Sequence, residues 1–205
     1  MNICLVSSLF PPDSPSETAV YVGTLAHALA AEHRVVVVTT EAGAHLQPRR
    51  EVTPDGVIVY RLAPFFRAVD LYHPQVAATL SHIIQRERPD LVHVHNWTGL
   101  SLAAVLSGIP TSAPHIPVAM TLHDSRLLSG WFLRHINRGL VKRVGLVISP
   151  SHDVLDKHLQ RGFFRRATQQ VLPYGDMRFH AARLVEAYQR LLITDRLRPF
   201  DQRVA

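Results

Sequence analysis

Apolar residues fall along this chain in two alternating kinds of stretch. Short runs rich in β-branched residues occupy Ile3 to Val6, Val35 to Thr40, Val57 to Tyr60, Leu91 to Val94, Val118 to Leu122, Leu146 to Ile148 and Gln169 to Leu172. They are nearly continuous rather than alternating, which predicts strands buried on both faces. Longer segments with a helical repeat lie between most of them. In Tyr21 to Ala31, Leu25, Ala28 and Leu29 share a stripe that His27 and Glu32 avoid. Similar patterns predict helices over His73 to Glu87, Gly99 to Ser107, Leu127 to Lys142, His152 to Gln160 and Phe179 to Leu192. The region Glu41 to Gly56, with Pro48, Pro54 and few apolar residues, reads as a loop before a hairpin-like third strand. Strand and helix in alternation imply right-handed crossovers. The expected fold class is therefore α/β: one Rossmann-like domain, a mostly parallel sheet with helices on both faces, and a C-terminal helix packing back on it. The boundaries expected are 1–176 for the domain, 177–193 for the helix and 194–205 for a loose polar tail.

Composition narrows the class without changing it. A chain of 205 residues with 47% hydrophobic and 19% charged residues can bury a core and is not a disordered segment. No apolar run is long enough to span a bilayer, and Met1 to Val6 has neither a basic n-region nor a small-residue cleavage site, so no signal peptide is expected. The single cysteine, Cys4, sits in an apolar run, where a buried and inert thiol is expected. These features fit a cytoplasmic protein. The net charge of +6 is concentrated: Arg126 to Arg166 holds nine basic residues against Asp153 and Asp156. Within it, Gly130 to Arg143 reads as a basic amphipathic helix, with Trp131, Arg134, Arg138, Lys142 and Arg143 as candidate contacts to an anionic membrane. The alternative is a solvated face on a core helix. Charge alone does not argue for nucleic acid, and none is expected as a partner.

In a sheet of this kind, ligands bind beyond the carboxyl ends of the strands. That rule selects His93, His95, Asn96 and Trp97 after one strand, His123 and Asp124 after the next, and Ser149-Pro150-Ser151 after a third. His93 and His95 leave their strand on the same face, but no cysteine or carboxylate trio accompanies them and no metal is expected. His93 is expected to pack against a covering helix while His95 reaches the cleft. A histidine at the position of His123 can orient or exchange a proton with a hydroxyl near neutral pH. Asp124 can hold an imidazole tautomer or cap the following helix, and Ser151 is placed to cap the helix from His152. After the first strand, where a dinucleotide-binding loop would carry G-x-G-x-x-G, the chain reads SLFPPDSPSETAVY with no glycine. Ser14-Pro15-Ser16-Glu17 fits a capping box with Ser14 as N-cap, and Glu17 would repel an incoming diphosphate.

Six motifs in order resemble the N-terminal half of a GT-B glycosyltransferase, most nearly glycosyltransferase family 4. They are Phe10-Pro11-Pro12; Leu29 to Val35; Pro89 to Asn96; Thr121-Leu122-His123-Asp124; Val147 to Ser151; and Val171 to Asp176. The resemblance implies sugar transfer from a nucleotide sugar with retention of configuration, with this half receiving the acceptor. It implies a cleft position for the tentative catalytic residue His123, acceptor contacts for Asp124, His95, Asn96, Trp97 and Ser16, and no cofactor beyond the donor. The acceptor would be a sugar or a lipid-linked glycan, and the basic helix could approach the inner face of a membrane. Three departures stand out. Ser14-Pro15-Ser16-Glu17 replaces a glycine pair, and Ser125-Arg126-Leu127-Leu128 replaces a more aromatic helix start. The segment Arg178 to Leu192, which resembles the family's last helix, follows Gly175 almost at once, where a nucleotide-binding domain would begin. Transfer would then require a partner chain, or self-association into a homodimer, to supply the donor wall. The alternative is a non-catalytic binding or scaffold module, or a minimal engineered fragment.

Overall fold

The computed structural model describes residues 1–12, 14–41, 43, 48–64, 72–110 and 115–197, with the side chain of Arg126 excepted. Its strands are β1 (Asn2–Ser7), β2 (Arg34–Thr40), β3 (Arg49–Val52), β4 (Ile58–Leu62), β5 (Leu91–Asn96), β6 (Val118–Thr121), β7 (Val144–Ser149) and β8 (Thr168–Val171). They form one sheet in the order β3-β4-β2-β1-β5-β6-β7-β8, and every pairing is parallel except β3 with β4. The helices are α1 (Glu17–Ala30), α2 (Pro74–Glu87), α3 (Leu102–Gly108), α4 (Trp131–Leu140), α5 (His152–Gln160) and α6 (Met177–Leu197). The α/β fold, mostly parallel sheet and returning C-terminal helix expected from the sequence are all present.

Two cores follow from the period of two along each strand. In β1, Ile3 and Leu5 point to one side and Cys4 and Val6 to the other; β2 divides Val35 and Val37 from Val36 and Val38 in the same way. The first side is covered by α1 and α6, through Val22, Leu25, Leu29, Leu184, Tyr188 and Leu191. The second is covered chiefly by α2 and α3, with Leu80, Ile84, Val105 and Leu106. Cys4 is buried as expected, and desolvation together with the charge of Glu87 pushes its thiol up to about 12. Gly145 lets α6 come close to β7, because a Cβ there would lie 2.8 Å from Leu191 Cδ1.

Several local expectations need correction. The N-cap of α1 is Ser16, whose Oγ accepts from the Ala19 amide at 3.2 Å; Ser14 instead donates to the Ser16 hydroxyl. Glu17 thus stands at the first helical position, where it complements the helix dipole rather than closing a capping box. The stretch read as loop contains β3, a short charged edge strand stabilised by Arg49 to Glu51 and Arg61 to Glu51 ion pairs. The long helix expected over Leu127 to Lys142 is broken into a 3-10 turn at Arg126–Leu128, α4, and a second turn at Val141–Arg143. Helix α6 continues through Leu197, so Thr194 to Leu197 is helical rather than tail; residues 198–205 lie outside the described residues. By contrast, α5 runs over the expected residues, with Ser151 Oγ accepting from the Val154 amide.

Because α6 shares with α1 the cover of one core, it contributes to folding and is not an appendage. Leu184→Ala is expected to cost about 2–5 kcal/mol, read as a lower urea midpoint, whereas Ile193→Ala on its exposed side, 60% accessible, leaves the midpoint in place.

Candidate functional site

The carboxyl ends of β5 and β6 carry a column of aromatic and imidazole groups that runs from beneath α6 to the surface. It begins with His93, which is fully buried in the middle of β5. An imidazole there needs both nitrogens paired, and both are: Nδ1 bonds the Tyr188 hydroxyl of α6, and Nε2 bonds Thr121 Oγ1 of β6 at 2.8 Å. Burial, with the neighbouring His123 and His180, pushes His93 down to about 3, so it is neutral at physiological pH. His93 therefore packs against the covering helix, as the sequence suggested.

His95 stands two residues on along the same face, with its ring centroid 3.9 Å from that of His93. It reaches the cleft as expected, but only from below: 2% exposed, it lines the cleft from the layer beneath His123. Its Nδ1 bonds His123 Nε2 at 3.1 Å, while its own Nε2 is buried without a partner. Desolvation drives it well below the usual histidine range, helped by His93 and His123. His123, just past the end of β6, completes the column: its Nδ1 meets the Tyr174 hydroxyl at 2.8 Å, and the two rings stack within 13° of parallel. Burial pushes His123 down to about 4, against a smaller upward pull from Asp124. Both ring nitrogens of His123 are thus engaged inside the chain.

The column is braced from α1 and α6. Tyr21 lies edge-on to His123, 5.2 Å between centroids, and its hydroxyl bonds His180 Nε2 at 2.6 Å. Burial raises the Tyr21 phenol, and it pushes Tyr174 up to about 12, so both stay protonated. None of Tyr21, Tyr174, His180 and Tyr188 was singled out as a site residue from the sequence. The one available signal was Tyr174, which sits inside the last of the six motifs, Val171 to Asp176, and carried no role of its own there.

The remaining candidates divide. Trp97 and Asp124 line the same small cleft as His95 and His123, whose free space of about 10 Å³ is roughly that of one water. Any ligand larger than a water must therefore lie across this cleft and not within it. Asn96 lines the cleft as well, and its Oδ1 accepts from Ser8 Oγ at 2.8 Å and from the Thr98 amide at 2.9 Å, tying the loop after β1 to β5. Ser16 is the α1 cap described above. Among the membrane candidates, Trp131 is 78% exposed and Arg138 and Lys142 are exposed, while Arg134 is half-buried. Arg143 turns inward, its guanidinium donating to the Leu106 and Ile109 carbonyls at the end of α3, and faces no membrane. Among the described residues no three of His, Cys, Asp and Glu are placed to hold a metal ion, and no helix is long and apolar enough to cross a membrane.

Arranged this way, the column offers a neutral, prearranged set of hydrogen-bonding groups that ends in the half-exposed Tyr174. If His95 Nδ1 carries the proton of its bond to His123, then His123 Nδ1 donates to Tyr174 and the phenol is free to donate outward. That tautomer also leaves His95 Nε2 a bare acceptor, so no buried N–H is orphaned.

Comparison with known proteins agrees with this architecture. A form of sucrose-phosphate synthase from Thermosynechococcus elongatus, whose designation carries the ranges 27–220 and 406–426, shares the fold with a TM-score of 0.64 at 19% identity, over 93% of this chain and 99% of that one. The longer sucrose-phosphate synthase of the same organism matches with the same TM-score at 18% identity, over 85% of this chain and 48% of that one. Anabaena HepE, solved with UDP and glucose, matches at 0.55 and 20% identity, over 85% of this chain and 44% of that one. A curated relative, an uncharacterized 42.6 kDa protein in the cps region of Klebsiella pneumoniae, is 26% identical over 215 residues. The alignment takes in 87% of this chain but 56% of that protein, so the chain spans little more than half the relative's length. The model of the glycosyl transferase 4-like domain matches residues 17–175, from the first residue of α1 to the turn before α6, and the chain belongs to that family.

Proposed function

We propose that this chain is the acceptor-binding half of a retaining, nucleotide-sugar-dependent glycosyltransferase, and that its donor-binding wall is supplied by another chain, by a second copy or by sequence beyond the described fold. The observation that carries the reading is the column ending in His123 and Tyr174 at the carboxyl edge, within the stretch matched by the family model. A neutral imidazole held between two partners suits orientation of an acceptor hydroxyl better than proton abstraction. Tyr174 supplies the outward-facing donor and Trp97 an apolar wall, while Asp124 supplies the negative charge at the rim. The reading that the donor wall comes from outside this fold is supported by the join itself: only Leu172 to Asp176 separate β8 from α6, and α6 helps to seal that face of the sheet. It is also supported by coverage, since the fold spans 99% of the two-range synthase chain and 48% of the longer one.

A non-catalytic binding module is the second reading, favoured by the engagement of both His123 nitrogens and by a cleft with room for one water. For either reading, a peripheral contact with an anionic membrane would run through Trp131 and Phe132, both exposed at the start of α4.

Titration of the labelled protein with a panel of sugar and lipid-linked glycan acceptors is expected to shift the resonances of His123, Tyr174 and Trp97, with UDP-sugars alone having little effect. Tyr174→Phe should weaken acceptor binding by about tenfold, the loss of one buried hydrogen bond. Shifts induced by UDP-sugars alone, or by no acceptor at all, would sink the acceptor-half reading. Turnover that appears on adding a donor-domain chain and vanishes in His123→Ala selects the enzyme over the module.

The column also sets a pH dependence. His93 and His95 are held neutral in the fold but protonate near pH 6.5 when unfolded. Their contribution is complete above that pH and is lost as the pH falls toward their folded values. Urea denaturation should show stability declining from pH 6.5 to 5 by up to about 2 kcal/mol per histidine. A His93→Asn variant, although less stable at pH 7, should show a shallower decline.

A further inference from the structure

A second polar site lies at the opposite edge of the sheet. A cavity of about 330 Å³ opens at the amino ends of β7 and β8, and four of its lining residues, Arg138, Lys142, Arg165 and Arg166, are cationic. No carboxylate lines it, and among the described residues none of the four cations is ion-paired. Arg138 has one polar contact, with the neighbouring His135 ring at 3.4 Å. Two of these side chains converge from separate elements over Gly162: a Cβ at that glycine would lie 3.4 Å from Arg138 Cδ and 3.5 Å from Arg165 Nη2. Gly162 has φ +82, so the position favours glycine on backbone grounds and keeps the floor open.

Like charges brought together without a counter-charge repel, and nothing in the fold requires it here. Arg138, in the last turn of α4, meets the negative end of a helix dipole, but Arg165 and Arg166 precede a strand and have no such reason to be placed there. The wall of Phe164 and Val144 lowers the local dielectric and strengthens attraction for an anion. Guanidinium forks from two directions suit the several oxygens of a phosphate group.

We propose that this cavity is a phosphate-binding site, separate from the His123 cleft and independent of what that cleft binds. Arg138 and Arg165 clamp the phosphate over Gly162, and Lys142 and Arg166 add charge at the rim. The phosphate belongs either to a soluble phosphorylated molecule or to a lipid headgroup; the same side chains serve both.

Two arms of one experiment test the site and identify its source. In the first, inorganic pyrophosphate is titrated calorimetrically into the intact protein at constant ionic strength. In the second, the protein is floated with vesicles of phosphatidylglycerol and phosphatidylcholine, or of phosphatidylcholine alone. Saturable binding in at least one arm is expected, weakened at least about tenfold in the Arg138→Gln/Arg165→Gln double variant. Arg178→Gln, on the exposed surface of α6, should leave it unchanged. The variant should melt no lower than the parent without anion, since it removes a repulsion. Binding of pyrophosphate alone assigns a soluble ligand; flotation lost in the double variant assigns a lipid phosphate. Absence of binding in both arms, or binding that the double variant retains in full, overturns the proposal. Failure of acceptor binding at His123 would leave this result untouched.

Discussion

The fold depends on one buried polar contact, that of His93 with Tyr188 and Thr121. A parallel sheet packed on both faces leaves no solvent for an imidazole in a central strand, and an unpaired ring nitrogen there would cost on the order of several kcal/mol. Tyr188 meets that demand from α6, and Thr121 meets it from β6. The hydrogen bond therefore couples a strand in the first half of the chain to the last helix, across 95 residues. The apolar neighbours of Tyr188 on α6, Leu184 and Leu191, complete the cover over β1, β5, β6 and β7. One helix, α6, thus contributes to both the core face and the polar column.

From that anchor the column acquires its chemistry. Each group nearer the surface is held by the one beneath: His93 packs under His95, and His95 bonds His123, which bonds Tyr174. Successive burial keeps the imidazoles neutral, so they relay orientation and hydrogen-bond direction rather than charge. Only the last two members meet solvent. That arrangement explains why a cleft with so little free space can still present a defined donor to a ligand lying across it.

The two edges of the sheet differ in electrostatic character for the same structural reason. At the carboxyl edge, α6 and α1 close over the strands and remove water, which suppresses charge. At the amino edge of β7 and β8, the broken helix at α4 and the turn through Gly162 leave a gap in which four cations stay solvated and unneutralised. The concentration of basic residues between Arg126 and Arg166 divides accordingly: Arg143 is spent inside on the end of α3, while Arg138 and Arg165 face one another.

Local order was largely legible in the sequence. The strands announced themselves as unbroken apolar runs, and α5 as a helix with its serine cap, because both signals depend on neighbours within a turn or two of chain. The rule that ligands bind beyond strand carboxyl ends likewise put His123 at the carboxyl edge, where it lies just past the end of β6. What the sequence left open were choices between equivalent local options. Ser14 and Ser16 both satisfy the cap rule, and the choice falls to the register in which Ala19, Val22 and Leu25 bury against the sheet. The charged stretch Arg49 to Val52 becomes a strand only because β4 offers it an edge. The site itself was the least legible part, since Tyr21, Tyr174, His180 and Tyr188 reach the histidines across separations of 51 to 159 residues. Sequence alone determined the alternation of strands and helices, and hence which ends of which strands would carry chemistry. Tertiary structure alone decided which side chains met there and which were sealed beneath, because hydrogen bonds and desolvation act through space, where no periodicity along the chain records them.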